Sequence, residues 1–497
     1  MRIPFPTKIP LWGVILFAIL LCLFEALQGT STFFVGGVFV YILVSAMAFN
    51  AAGGLSRPSG GYIFFQVVLT TLLALVMKAV LWEAADNTLL VPEVTIMANV
   101  ALSLCMLAAA YIKRPIIKKK AVLDGLLTPA STRQATLGCI AVAIAIDTMV
   151  ELYGADNGST VAFLRRLNFF IPLAILIGTY DTIMRSGKRR STNLIVIFAG
   201  VYFFITGGLL QYSKEPMFAG IIAWLIVVAA TGFNLSFRQI AILLSIFAGL
   251  WYFLVPYAQV GRLDRATPGN PITKSINNLS RVDEFRDELA IQAEDTAKGG
   301  YAPHLFTHSV GFLERLEMLA WDDALIASAV NGSTIGYLPL ITYFYNIVPH
   351  FLWPDKPTPF WGNVYAHRIG VLAEDDTTTG VSFSPVSEAF LLDGWRSMFM
   401  VIPFIYIVFF IVVDSVGGDV RYNPWGLFFL LASAHNANEG YLGTPFLLAT
   451  FMAPVLILLA YFTVYVLPLI GSLLLPRTRS TLLQGRPDPQ FVRQPQA

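Results

Sequence analysis

Charge is scarce in this sequence. Only 13% of its 497 residues are Asp, Glu, Lys or Arg, where soluble domains carry about 25%. Cysteine is scarcer still. Cys22, Cys105 and Cys139 each fall inside an apolar run, which leaves no disulfide framework and no cysteine-based metal motif; all three read as packing residues. No internal repeat and no glycine-rich nucleotide-binding loop is visible. What is present is apolar: 56% of the residues are hydrophobic and the mean hydropathy is +0.67. Long apolar runs recur from residue 11 to residue 470, which excludes a string of soluble domains and implies a multi-span membrane protein.

Runs of about 18–23 apolar residues predict twelve helices. They cover 11–28, 31–50, 61–83, 91–112, 134–153, 168–184, 192–210, 216–233, 238–256, 397–414, 424–437 and 445–470, the eleventh being the shortest. With the N-terminus cytoplasmic, the inside segments hold 19 of the 33 Lys and Arg, including "KRPIIKKK" and "KRR". Short outside loops hold only Arg165, Arg166 and Lys214. The positive-inside rule therefore predicts two cytoplasmic termini, with the first span kept as a helix and not a cleaved signal.

The chain divides accordingly. Residues 1–256 carry helices one to nine, 257–396 form a large extracytoplasmic loop, 397–475 carry helices ten to twelve, and 476–497 read as a disordered basic tail. The loop holds 10 basic and 17 acidic residues, net −7. Within it, "RVDEFRDELAIQA" places Val282, Phe285 and Leu289 on one helical face. "GFLERLEMLAWDDALIA" does the same with Leu316, Leu319 and Ala320. "YLPLITYFYNIVPHFLW" is apolar and aromatic but broken by Pro, which suits a segment lying in the membrane interface. The fold class expected is an all-α polytopic membrane protein.

Ionisable residues within spans are costly and point to function. Glu25, Lys78, Glu83, Asp147 and Glu151 all fall in the outer halves of their helices. That fits an outer polar pocket, structural ion pairs or snorkelling ends better than a midplane ion pathway. All five histidines fall on the outer side. Lys214 in "QYSKEP" opens the eighth helix, and a cation beside a helix N-terminus makes a place for an anion. Arg315 and Asp322 are seven residues apart and so share a helix face. The acidic pairs in "WDD" (321–323) and "EDD" (374–376) lack the spacing of a metal site and read as solvated charge; no metal and no cofactor is expected.

The motifs "SKEPMFAGIIAWL", "FLERLEMLAWDDAL", "VPHFLWPDKP" and "SPVSEAFLLDGW" occur in that order between about residues 205 and 400. Together they resemble the Wzy-type oligosaccharide repeat-unit polymerases that build O-antigen and exopolysaccharide. The resemblance implies a GT-C-like membrane glycosyltransferase in the bacterial inner membrane, with its large loop periplasmic or extracellular. It would move a growing glycan from undecaprenyl pyrophosphate onto a lipid-linked repeat unit. Implied partners are those lipid-linked oligosaccharides, membrane lipid, a chain-length regulator and a flippase, with no nucleic acid.

An anionic leaving group needs fixed cations. Arg315 and Lys214 lead as substrate-binding residues, with Arg281, Arg286 and Arg368 behind them. The family commonly has Arg where this chain has His350, so a phosphate clamp there rests on protonated His350 or on Arg368. The acceptor hydroxyl needs a base. Glu388 in "SEAF" leads, followed by Asp322, His435 and Glu439. Asp322 also reads as the group that orients Arg315, and Glu388 as a structural hydrogen-bonder. Trp353, Trp361 and Tyr365 are available to stack on sugars or to anchor the loop. "PHFLWPDKP" reads as a proline-stiffened corner, scaffold more than catalyst. An O-antigen ligase shares topology and donor type. A lipid-linked oligosaccharide flippase is the alternative of another class, and predicts paired repeats and midplane charges that are not visible.

Overall fold

The fold is that of a computed structural model, which describes residues 1–118, 120–153, 164, 168–261, 270–288, 303–307, 317–348 and 352–474. Among the described residues the regular structure is helical, with two isolated β-bridges and no strand. Helices occupy every region where the apolar runs predict one: α1 Leu11–Leu27, α2 Thr32–Ala52, α3 Pro58–Val80, α4 Pro92–Ile112, α5 Pro129–Tyr153 and α6 Phe170–Arg185. They continue with α7 Leu194–Leu209, α8 Lys214–Thr231 and α9 Phe237–Leu254, followed by two short helices, α10 Val255–Gly261 and α11 Pro271–Ser280. The loop region supplies α12 Leu319–Asn331, α13 Leu338–Ile347 and α14 Trp361–Arg368. The chain closes with α15 Pro385–Met400, α16 Ile402–Gly417, α17 Pro424–Glu439, α18 Gly443–Tyr465 and α19 Leu467–Leu474.

Seven of these (α2, α3, α4, the Ser131–Leu152 part of α5, α8, α9 and α18) are long and apolar enough to cross a membrane. An eighth is reached if α15 and α16, bent by 71°, count as one span. The apolar α1 and α7 are shorter; 17 residues in α1 reach about 25 Å at 1.5 Å each, against roughly 30 Å of hydrocarbon. The protein is therefore an α-helical polytopic membrane protein. The predicted twelfth span is divided at Val466 into α18 and α19, and the predicted tenth begins only at Ile402, after the bend.

Local chemistry explains the helix starts. Ser31, Asn193, Ser236 and Asn423 cap α2, α7, α9 and α17 with their side chains, Ser236 completing a capping box with Gln239. Pro stands in the first turn of α3, α4, α15, α16 and α17, where its missing N–H costs nothing. The largest apolar cluster runs through α1–α8, α12 and α15–α19. In it α2 lies along α4, α16 also packs on α4, and α17 crosses α3. The α3–α17 crossing needs a glycine: a Cβ on Gly61 would stand 1.9 Å from Leu430. By contrast α9 is almost wholly peripheral, with 6% of its apolar window buried.

One buried ion pair ties the helix ends opposite the loop region. Lys113 Nζ bonds the Asp414 carboxylate and Ser59 Oγ, and donates to Ala52 O at 3.0 Å. Asp414 in turn accepts from Ser59 N at 2.9 Å and Ser59 Oγ at 2.8 Å, at the start of α3. Four helices, α2, α3, α4 and α16, thus meet at one pair with side chains 4% and 1% exposed. Removing one partner of such a pair leaves a buried charge, which costs about 3–5 kcal/mol. Lys113→Met is expected to lose that much stability in detergent, read as a large fall in melting temperature. An unchanged melting temperature would show that the pair is not what joins these helices.

Candidate functional site

The loop region folds back on the bundle through two adjacent acids that face opposite ways. Asp322 accepts from Ser384 N at 2.9 Å, from Ser384 Oγ and from Ser387 Oγ at 2.6 Å, at the start of α15. Asp323 accepts from Val91 N at 3.1 Å, Leu90 N and Thr95 Oγ1 at 2.7 Å, at the start of α4. Both are buried, so "WDD" is not solvated charge as its sequence suggests. It is a double staple between two helix N-termini, where orphan N–H groups and the helix dipole favour a carboxylate. Burial pushes Asp322 up to about 6 against the opposing pull of its hydrogen bonds from Ser384 and Ser387.

Glu388, one turn into α15, has no exposed surface. Its Oε1 accepts from Tyr343 Oη and Tyr365 Oη, both at 2.6 Å, and its Oε2 from Leu442 N at 2.7 Å. It thereby joins α13, α14, α15 and the start of α18. An aromatic box closes around it: Tyr365 stacks on Trp361 at 5.6 Å and meets Phe383 and Tyr441 edge-on. Trp361 Nε1 donates to Thr342 Oγ1 at 2.7 Å. Trp361 and Tyr365 are buried and serve packing, not sugar stacking.

"LWPDKP" is also scaffold. Lys356 is buried and donates to Val348 O and Tyr345 O at the C-terminal end of α13, where a cation meets the negative end of the dipole. Trp353 is 39% exposed and meets Tyr345 edge-on at 5.3 Å. Arg368 donates through Nε to Ser328 Oγ at 3.0 Å and bonds Ser333 O, which turns it onto the end of α12.

The remaining cations gather elsewhere. Lys214 is the first residue of α8, as expected. Beside it Tyr212 accepts from Asn278 Nδ2 at 3.2 Å, and Val282 packs with Tyr212, Met217 and Tyr257. The segment that carries Arg281 and Arg286 is thus fixed at the same end of α8. Arg281 pairs with Glu284 at 2.7 Å. Arg286 lies 3.8 Å over the Tyr252 ring and pairs with Asp283 at 2.9 Å. The expected apolar faces hold at Val282, Phe285, Leu319 and Ala320, all buried.

Arg315, His350, Leu289 and Leu316 lie outside the described residues. His435 stands in α17, four positions before a half-buried Glu439 at its C-terminal end. Among the described residues no group of three or more His, Cys, Asp or Glu is placed to hold a metal ion. Sequence reasoning missed Tyr343, Ser384, Ser387 and Asp323 as members of this network. The serines of "SPVSEA" were in view, but only the fold gives them Asp322. Comparisons with protein-family models, curated proteins and solved structures return no match.

The raised Asp322 gives a pH test with a definite sign. Its folded carboxyl holds a proton more tightly than an unfolded Asp near 4, so its contribution to stability is full below about 4 and is lost as pH rises through 6. Melting temperature is expected to fall across pH 4–7 by more in the wild type than in Asp322→Asn. Parallel curves would remove Asp322 as the cause.

Proposed function

We propose that this protein is a membrane glycosyltransferase that polymerises lipid-linked oligosaccharide repeat units. It passes a growing glycan from undecaprenyl pyrophosphate to the next lipid-linked unit at the outer face of a bacterial inner membrane. The observation that carries the reading is where the motif blocks meet. "WDDAL", "LWPDKP" and "SPVSEAF", spread over about seventy residues, form one hydrogen-bonded unit through Asp322 with Ser384 and Ser387, Glu388 with Tyr343, and Lys356 at the end of α13. The reading keeps both termini cytoplasmic on the placement of basic residues; helices stand at all twelve expected positions, seven of them, or eight with the bent pair, long and apolar enough to cross a membrane.

The division of residues supports a specific assignment of roles. Glu388 and Asp322 have no exposed surface, so they act as positioning residues. The base for the acceptor hydroxyl is then His435 or Glu439, on the helix that runs into Leu442, the residue Glu388 holds. Lys214, Arg281 and Arg286, with Arg315, offer the positive charge that a departing pyrophosphate needs. A flippase that supplies the substrate and a chain-length regulator are the partners this reaction calls for.

The test is turnover by purified protein in lipid with a synthetic undecaprenyl-pyrophosphate repeat unit, products being resolved by length. A ladder is expected, insensitive to EDTA. Arg315→Ala and His435→Ala should each slow it by about 10²-fold or more, with melting temperatures unchanged. Transfer only to a lipid-A core would make the protein a ligase, and absence of any transfer across a broad panel would return a transport function.

A further inference from the structure

The bend between α15 and α16 opens a slot that nothing in the proposed reaction uses. Within α15, Asp393 and Gly394 leave helical geometry, Gly394 at φ 57°, and beyond Val401 α16 departs from α15 at 71°. The slot holds about 320 Å³ and is walled by Leu340 and Phe344 of α13, Met400 and Phe404 across the bend, and Phe446 of α18. Phe344 is 57% exposed, and Met400 and Phe404 are each 69% exposed, so the slot opens sideways onto the surface that bilayer chains cover.

A cation stands at one end of it. Arg396 is exposed and sits one helical turn before Met400, on the same face. Three residues before Arg396, Asp393 reaches the hydroxyl of Tyr337, and Tyr337 is one turn before Leu340. Met400 and Phe404, on either side of the bend, thus face Leu340 and Phe344 across the slot, with Arg396 one turn before Met400. Asp393, the nearest acid in sequence, accepts from Tyr337 Oη at 3.3 Å. Among the described residues no hydrogen bond or ion pair occupies the Arg396 guanidinium. Trp395 and Phe399, stacked at 6.1 Å and both exposed, continue the apolar surface beside it.

We infer that this slot seats one phospholipid, its phosphate on Arg396 and one acyl chain between α13 and α16. A guanidinium fork matches phosphate oxygens, and a long apolar chain replaces the exposed faces of Phe344, Met400 and Phe404. The occupant also has a structural task. Phe344 meets Phe446 edge-on at 4.4 Å, and the neighbouring Tyr343 bonds Glu388, so the lipid forms the outer wall of the helix on which the Glu388 network depends.

The experiment is native mass spectrometry of the full chain, delipidated and titrated with phosphatidylglycerol, with thermal unfolding in parallel. One tightly retained lipid that raises the melting temperature is expected. Arg396→Gln should weaken it about tenfold, and Val401→Trp, which fills the slot, should abolish it with Arg396 intact. Arg396→Gln is at an exposed site and serves as the variant that folds if Val401→Trp does not. Equal affinity in Arg396→Gln, or no retained lipid in the wild type, overturns the proposal. Tighter binding of a polyprenyl phosphate than of phosphatidylglycerol overturns the choice of occupant.

Discussion

Helix starts inside an apolar protein are the constraint from which the rest follows. Each helix begins with N–H groups that have no intrahelical partner, and hydrocarbon or packed core offers no water to take them. Four buried carboxylates answer this. Asp414 takes Ser59 N at α3, Asp323 takes Leu90 N and Val91 N at α4, Asp322 takes Ser384 N at α15, and Glu388 takes Leu442 N before α18. Pro58, Pro92 and Pro385 stand in the first turn of three of them. Each acid comes from a distant part of the chain, so capping a helix and fixing the tertiary fold are one event. Neither partner is stable alone, because a buried carboxylate without donors is as costly as the orphan N–H groups it covers.

Only one of those four acids is also ion-paired among the described residues: Asp414 with Lys113. Asp322, Asp323 and Glu388 are held by hydroxyl and backbone donors. Charge-assisted hydrogen bonds of this kind are roughly twice as strong as neutral ones. Arg396 is left at an exposed position on the rim of the fold, while the half-buried Arg286 pairs with Asp283 and lies over Tyr252. Arg281 likewise pairs at the surface with the neighbouring acid Glu284, while Asp322, Asp323 and Glu388 turn inward to helix starts.

How much of this was legible in the sequence depends on the range of the interaction. Apolar runs located all twelve helical regions, and Lys214 was placed at its helix start, because hydropathy and the first turn are local properties. Span length was less legible. α15 is kinked internally at Asp393 and Gly394, the latter at positive φ, before it meets α16 at the 71° bend, and nothing in "LLDGWRSM" separates that glycine from an ordinary helical one. Glu388 stood out by its surroundings, yet its partners lie 23, 45 and 54 residues away, so its burial was not readable. "WDD" misled for the same reason: two adjacent acids look solvated until each is seen to face a different helix.

The placement of Glu388 bears on how such a region can move. Its three donors come from α13, α14 and the α17–α18 turn, and Tyr441, at φ 53°, is itself anchored to Val381 O. Opening the region as a lid would expose or orphan the carboxylate together with three donors, a penalty well above thermal energy. Any rearrangement of the region therefore belongs to segments outside this network. The face between α8, α9 and the segment carrying Arg286 is held by one small apolar cluster, the Asn278–Tyr212 hydrogen bond and the contact of Arg286 with Tyr252; the Arg281–Glu284 and Arg286–Asp283 pairs lie within that segment and join nothing across the face. The Glu388 side is thus tied by three hydrogen bonds from three separate elements to one buried carboxylate, while the Arg286 side rests on a small apolar cluster and contacts at the surface.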